Sequence, residues 1–224
     1  MLNGVTVEAT SADGIYSIGG VPPHMMNDTI TATLYNGDEV VDVLEYSIKQ
    51  YLDTVIAGDF SEKAKQLAND LLIYGAAAQK HQNYNTGDLV SEETPTVDDA
   101  YKPESALNVE QIASKIDGVA FKQVGVHFNY VNRLYVTVNN TAGASVSVKI
   151  NGRDAEIVDG YVFSSAIAPT GFGDEYVFEL FVDGEHYQTV TYSVNSYICA
   201  KWNHESGLAK ALYRYAVAFA NYNS

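Results

Sequence analysis

The chain has 224 residues, 46% of them apolar, and 13 Lys plus Arg against 28 Asp plus Glu give a formal net charge of -15. That length and apolar share suit one or two globular domains, while the acidity repels a phosphate backbone or an anionic membrane surface, so nucleic acid is excluded as a partner. No apolar run approaches the ~20 residues of a spanning helix, and the single Cys199 excludes an internal disulfide and a zinc site of several thiolates.

From Ile30 the chain alternates Ile30, Ala32 and Leu34 with Thr31 and Thr33, and Asn36-Gly37 predicts a tight hairpin turn. After Ser47, a natural N-cap, the period lengthens: Ile48, Tyr51, Leu52, Val55 and Ile56 recur at helical spacing. A second helix carries the stripe Ala64, Leu67, Ala68, Leu71, Gly75 and Ala78, with Asp59 and Glu62 as the expected capping pair. Residues 86–118 are acidic and rich in Ser, Thr and Pro, which reads as a solvated linker. A weak helical pattern of Leu107, Ile112 and Ile116 follows within it.

Further strands are predicted where Leu134, Val136 and Val138, then Val146, Val148 and Ile150, alternate with polar or aromatic neighbours, and Asn151-Gly152 turns the chain. Tyr176, Phe178 and Leu180 alternate in turn, Asp183-Gly184 makes a hairpin, and Ser193 caps a helix through Val194, Tyr197, Ile198 and Trp202. The last helix carries Leu208, Ala211, Leu212, Tyr215 and Phe219.

Laid on itself with an offset of 146 residues, the chain repeats: Pro23 falls on Pro169, Asp28 on Asp174, Leu34 on Leu180, and Tyr46-Ser47 on Tyr192-Ser193. Self-similarity of this length predicts a duplicated unit. The expected fold is therefore α+β, with tandem modules of antiparallel β-sandwich (Ig-like) strands each followed by an α-helical hairpin. The predicted boundaries are an incomplete first module over 1–85, an acidic linker over 86–118 and a complete second module over 119–224. The first module begins near Asn3-Gly4, the counterpart of the Asn151-Gly152 turn, and so lacks about thirty residues of sheet. Its missing pairing is expected to come from the linker, the second module or a neighbouring molecule.

The sequence YSIKQYLDTVIAG...LANDLLIYGAAAQ, preceded by a strand hairpin, resembles a repeat module of large exported or cell-surface proteins of gut Firmicutes such as ruminococci and clostridia. The resemblance covers roughly residues 14–85 and 119–224, although the second copy has YAVAFA where the first has YGAAAQ. It implies an extracellular, polysaccharide-handling context, and YGAAAQ is a packing motif that carries no chemistry. No charged-then-apolar leader follows Met1, so a secretion signal is expected to lie outside these residues.

Chemistry-bearing motifs are scarce. GFGDEY from Gly171 lacks the third glycine of a phosphate loop, no GxSxG elbow is present, and His24, His81, His127, His186 and His204 form no HExxH pattern. Acidic pairs such as Asp38-Glu39, Asp98-Asp99 and Asp174-Glu175 sit in turns and linker and read as solvated charge. Cys199 aligns with Asp53, off the apolar stripe, and reads as a small side chain at the margin of the core. Aromatic rings are the remaining signal, because flat rings stack on the apolar faces of sugars. Trp202, on the flank of its helix stripe, Tyr135, on the polar face of its strand, and Phe172, in the Pro169–Asp174 loop, are the expected ligand-binding residues.

The function expected from the sequence is non-catalytic polysaccharide binding or display, at the cell surface or outside the cell, as part of a larger protein. No catalytic residue, metal or cofactor is expected, nor insertion into a membrane. The alternative is a structural or adhesive spacer, or a protein–protein interaction module, without a sugar site.

Overall fold

A computed structural model describes residues 20–224, together with the backbone of two short paired strands, β1 (Ser11–Ala12) and β2 (Ile15–Tyr16). The expected Asn3-Gly4 start of the first module lies outside the described residues. A 3-10 turn at Pro23–Met25 leads to a hairpin of β3 (Ile30–Asn36) and β4 (Glu39–Tyr46). Two helices follow, α1 (Ile48–Ala57) and α2 (Glu62–Gln82).

The remaining strands are β5 (Asn108–Gln111), β6 (Val119–Phe128), β7 (Asn132–Asn140), β8 (Val146–Ile150), β9 (Arg153–Ala155) and β10 (Tyr161–Phe163), then β11 (Tyr176–Val182) and β12 (Glu185–Tyr192). Helices α3 (Val194–Ala200) and α4 (Leu208–Tyr222) close the chain. The molecule is thus a mixed α+β fold with antiparallel sheets: a three-stranded sheet in the order β10-β7-β6, a five-stranded sheet in the order β5-β12-β11-β8-β9, and the separate β3–β4 hairpin.

Local chemistry explains most of the boundaries. Asp183 and Gly184 both take positive φ, 50° and 86°, in the turn that joins β11 to β12, a conformation that Asp and Gly tolerate. Ser47 opens α1 with a capping box: its side chain accepts from Gln50 N–H, while Gln50 Oε1 accepts from Ser47 N–H at 2.8 Å. Ser193 and Ser196 do the same for α3. Helix α2 is capped by Ser61, which accepts from Ala64 N–H, and not by the predicted Asp59 and Glu62 pair. Ser61 stands at N-cap itself, which leaves Glu62 in the first turn.

One large core gathers inward residues of both sheets, Val126, Leu134, Val136 and Val162 from one and Phe178, Leu180, Tyr187 and Val190 from the other, with Ile198, Leu208 and Leu212 from α3 and α4. A smaller core holds Met26, Leu52, Val55, Ala68, Leu72, Ala76 and Val90. Helix α2 belongs to both, since Ile73, Tyr74, Ala77 and Ala78 enter the large one. This double engagement is why Leu72 to Gln79 are buried without interruption, where a single apolar stripe was predicted. At Gly75 a Cβ would come within 2.9 Å of Met26 Sδ and Val90 Cγ2, so only glycine lets the chain pass so close.

The acidic segment after α2 does more than span a gap. Gln79, fully buried, donates to Asp88 O and accepts from Val90 N–H, which holds the segment against the helix. Farther on, Leu107 to Ile116 forms no helix; β5 pairs antiparallel with β12, from Gln188↔Gln111 to Thr191↔Asn108. An open sheet edge satisfies the backbone of that segment better than an isolated two-turn helix does. No helix among the described residues is long and apolar enough to cross a membrane.

Candidate functional site

The three rings picked out by sequence are not brought together. Trp202 is buried: Nε1–H donates to Asp99 Oδ1 at 2.7 Å, Lys210 Nζ stands 5.2 Å from its ring centre, and Tyr213 meets it edge-on. Phe172 is buried in the large core, and its carbonyl accepts from Asn195 N–H. Neither offers a face to a ligand, because a ring inside a packed core has no free surface. Tyr135 alone is partly exposed, on the outer face of β7.

Around Tyr135 the three-stranded sheet builds a surface of rings. Val162 on β10 points into the core, so Tyr161 and Phe163 on either side project outward, 42% and 38% exposed. Their rings are 5.8 Å apart and nearly parallel, at 10°. Tyr135, paired in register with Phe163, lies 6.0 Å from the Phe163 ring and 5.8 Å from that of Tyr161. Its cross-strand neighbour on β6 is Gly125, where a Cβ would meet the tyrosine ring at 2.9 Å; the glycine makes the space in which Tyr135 lies flat over β6. His127 meets Phe163 edge-on at 5.6 Å.

Two hollows flank this surface. A groove of about 720 Å³ is lined by Tyr161, Phe163, Arg133, Arg153, Asp154 and Glu156, among others. A smaller hollow of about 110 Å³ shares Arg133 and Phe163 and adds His127, Asn129 and Tyr130. The sequence contains three arginines, and two of them stand here. Neither Arg133 nor Arg153 enters an ion pair among the described residues, whereas Arg214 does. The face therefore combines flat apolar rings with free guanidinium donors and nearby carboxylates.

Tyr161 and Phe163 escape sequence reasoning because a three-residue strand is too short to establish a period. The usable signal is the triplet Tyr161-Val162-Phe163 itself, in which an aliphatic residue between two aromatics sends both rings to one side.

Elsewhere the titratable groups serve packing. Burial pushes the Tyr192 hydroxyl up to about 12, with Tyr197 and Tyr135 adding to the shift, and burial also raises Tyr197 and Tyr215. His81 and His204 come within 5.9 Å edge-on, and burial first, then His204 and Lys201, holds His81 below its ordinary value. Among the described residues no group of three or more His, Cys, Asp or Glu stands close enough to hold a metal ion. No family model matches the chain, and none of the curated proteins or solved structures matches it either.

Proposed function

We propose that the chain is a non-catalytic module that binds polysaccharide on the ring face of β6, β7 and β10, as part of a larger secreted or surface-anchored protein. The observation that carries the proposal is the near-parallel, half-exposed pair Tyr161 and Phe163 beside Tyr135. Sugar rings present flat patches of C–H that such rings cover, while the hydroxyls and carboxylates at their rims accept from arginine. The groove along β10 falls within the ~300–1,000 Å³ usual for small-ligand sites.

At finer grain we read the fold as two copies of one module, an Ig-like sandwich followed by a helical hairpin, the first incomplete. The offset of 146 residues supports this: it carries Ile30↔Tyr46 onto Tyr176↔Tyr192, the bulge at Leu34/Tyr35 onto that at Leu180/Phe181, and the Ser47 cap onto the Ser193 cap. The sandwich reading is supported by the single core into which both sheets project. The extracellular setting rests on composition and on the resemblance described above.

Affinity electrophoresis against starch, β-glucan, mannan and pectin tests the function. Retardation by one of them is expected, weakened about tenfold, or roughly 1.4 kcal/mol, in Tyr161→Ala and in Phe163→Ala. A folded protein that none of the four retards overturns the sugar site. Release of reducing ends overturns the non-catalytic part. The second reading, a spacer or protein–protein module, is favoured by one observation, the bare apolar hairpin β3–β4.

A further inference from the structure

Two hairpins, β3–β4 and β11–β12, have the same register and the same bulge, yet one is buried and the other is not. Leu180 and Val190 are 0% and 3% exposed; Leu34 and Leu44, at the matching positions, are 52% and 62% exposed. Val41 and Tyr46 are likewise exposed where Tyr187 and Tyr192 are buried. A sheet that displays such a face and, along the outer side of β4, an edge with no strand beside it among the described residues is an incomplete element, since each exposed apolar side chain forgoes about 1.5–3 kcal/mol of burial and that edge offers unpaired N–H and C=O groups.

The second hairpin shows what the β4 side of the first lacks among the described residues. Strand β5 runs along the outer edge of β12, the counterpart of β4, and the three-stranded sheet covers the face. Across the two sheets Gln188 Oε1 accepts from Phe121 N–H at 2.8 Å. The residue matching Gln188 is Asp42, whose carboxylate accepts from the adjacent Val43 N–H and from nothing else among the described residues. The acidic segment, which was expected to be able to complete the first module, supplies its strand to β12 instead.

We infer that the β3–β4 hairpin is an acceptor for an extended strand presented by another protein, seated antiparallel along Asp42–Glu45 as β5 is seated along Gln188–Thr191. Its chemistry follows from the acceptor. The residue opposite Leu44 is apolar, as Val109 is opposite Val190. Those opposite Asp42 and Glu45 are basic, because Glu39, Asp42 and Glu45 enter no ion pair among the described residues. A second copy of this chain is disfavoured as the occupant. Symmetric antiparallel pairing of this stretch sets Asp42 against Glu45 twice, and like charges directly opposite destabilise a strand pair; each chain also carries -15. The mode is strand addition, in which main-chain hydrogen bonds give affinity and alternate side chains give specificity.

Two nine-residue peptides patterned on residues 105–113 test the inference on the full chain. One carries Asn108→Lys and Gln111→Lys, the other Asn108→Glu and Gln111→Glu. Amide hydrogen exchange and amide shifts are read at Asp42–Glu45. The basic peptide is expected to slow exchange there and to bind at least tenfold more tightly than the acidic one, and Leu44→Lys in the chain, with its helical signal intact, is expected to abolish the protection. Equal binding of the two peptides, protection at Gln188–Thr191 instead, or no protection by either overturns it. So does a dimer of the chain alone in which Asp42–Glu45 are already protected.

Discussion

Arg214 Nη2 on α4 stands 2.7 Å from Asp70 Oδ1 on α2, and Arg214 Nε donates to the same oxygen at 2.8 Å. The other carboxylate oxygen accepts from Gln66 Nε2, and Arg214 Nη1 reaches Glu93 of the acidic segment at 3.0 Å. Both side chains are largely withdrawn from water, so the pair ties together two helices that the sequence separates by the whole sheet region. Removing one partner of a buried pair leaves the other charge without compensation, which costs about 3–5 kcal/mol. Arg214→Met is expected to lower stability by about that amount in urea denaturation. The double variant Asp70→Leu, Arg214→Met, which removes both charges, is expected to recover all but about 1–2 kcal/mol of it. A single variant as stable as the parent would show that the ion pair does not join the helices.

Trp202 is expected to matter for stability and not for binding. Trp202→Phe keeps a ring in the core but loses the bond from Nε1–H to Asp99, and leaves Lys210 facing a smaller π surface. Losing this bond to a charged acceptor lowers stability, and the vacated volume adds to the cost. Urea midpoints should fall while retardation by any polysaccharide that binds the parent stays unchanged. As the single tryptophan of the chain, it should also fluoresce as a buried indole and resist acrylamide quenching, with or without ligand. Loss of retardation in folded Trp202→Phe would return this residue to the site.

How much of this was legible in the sequence depended on range. Asp183-Gly184 and the Ser47 and Ser193 caps are local devices, and they sit where spacing places them. The burial of Trp202 is not legible in the sequence because its partner, Asp99, is 103 residues away in a segment that reads as solvated. Leu107 to Ile116 was misread as helical because its strand state depends on the free edge of β12, a partner more than seventy residues on. Of the expected ligand-binding rings only Tyr135 lies on the ring face; the rest of that face rests on Tyr161 and Phe163, whose three-residue strand carries no period.

Thr137 tests the packing behind that face. It pairs with Tyr161 across β7 and β10, and its Oγ1 is shielded with no hydrogen-bond partner among the described residues. A hydroxyl held from water without a partner costs about 1–3 kcal/mol, and valine has nearly the same shape. Thr137→Val should therefore raise stability, by about 1 kcal/mol, and leave the ring geometry unchanged. Destabilisation would mean that the hydroxyl is satisfied in solution.

The burial of His81 beside His204 and Lys201 makes stability depend on pH. Burial, His204 and Lys201 hold His81 below its usual value of 6.5, so the folded chain resists a proton that the unfolded chain accepts. Between the folded value and 6.5 the unfolded state binds more protons, and stability rises with pH across that window. It is complete above 6.5 and is lost as pH falls below it. His24, also lowered by burial against the opposing charge of Asp28, acts in the same direction. Urea midpoints of the parent are expected to fall from pH 7.5 to 5.5, above the range in which ordinary carboxylates titrate. The fall should be shallower in His81→Gln and shallowest in His24→Gln, His81→Gln. Equal slopes in all three proteins would place the pH dependence elsewhere in the fold.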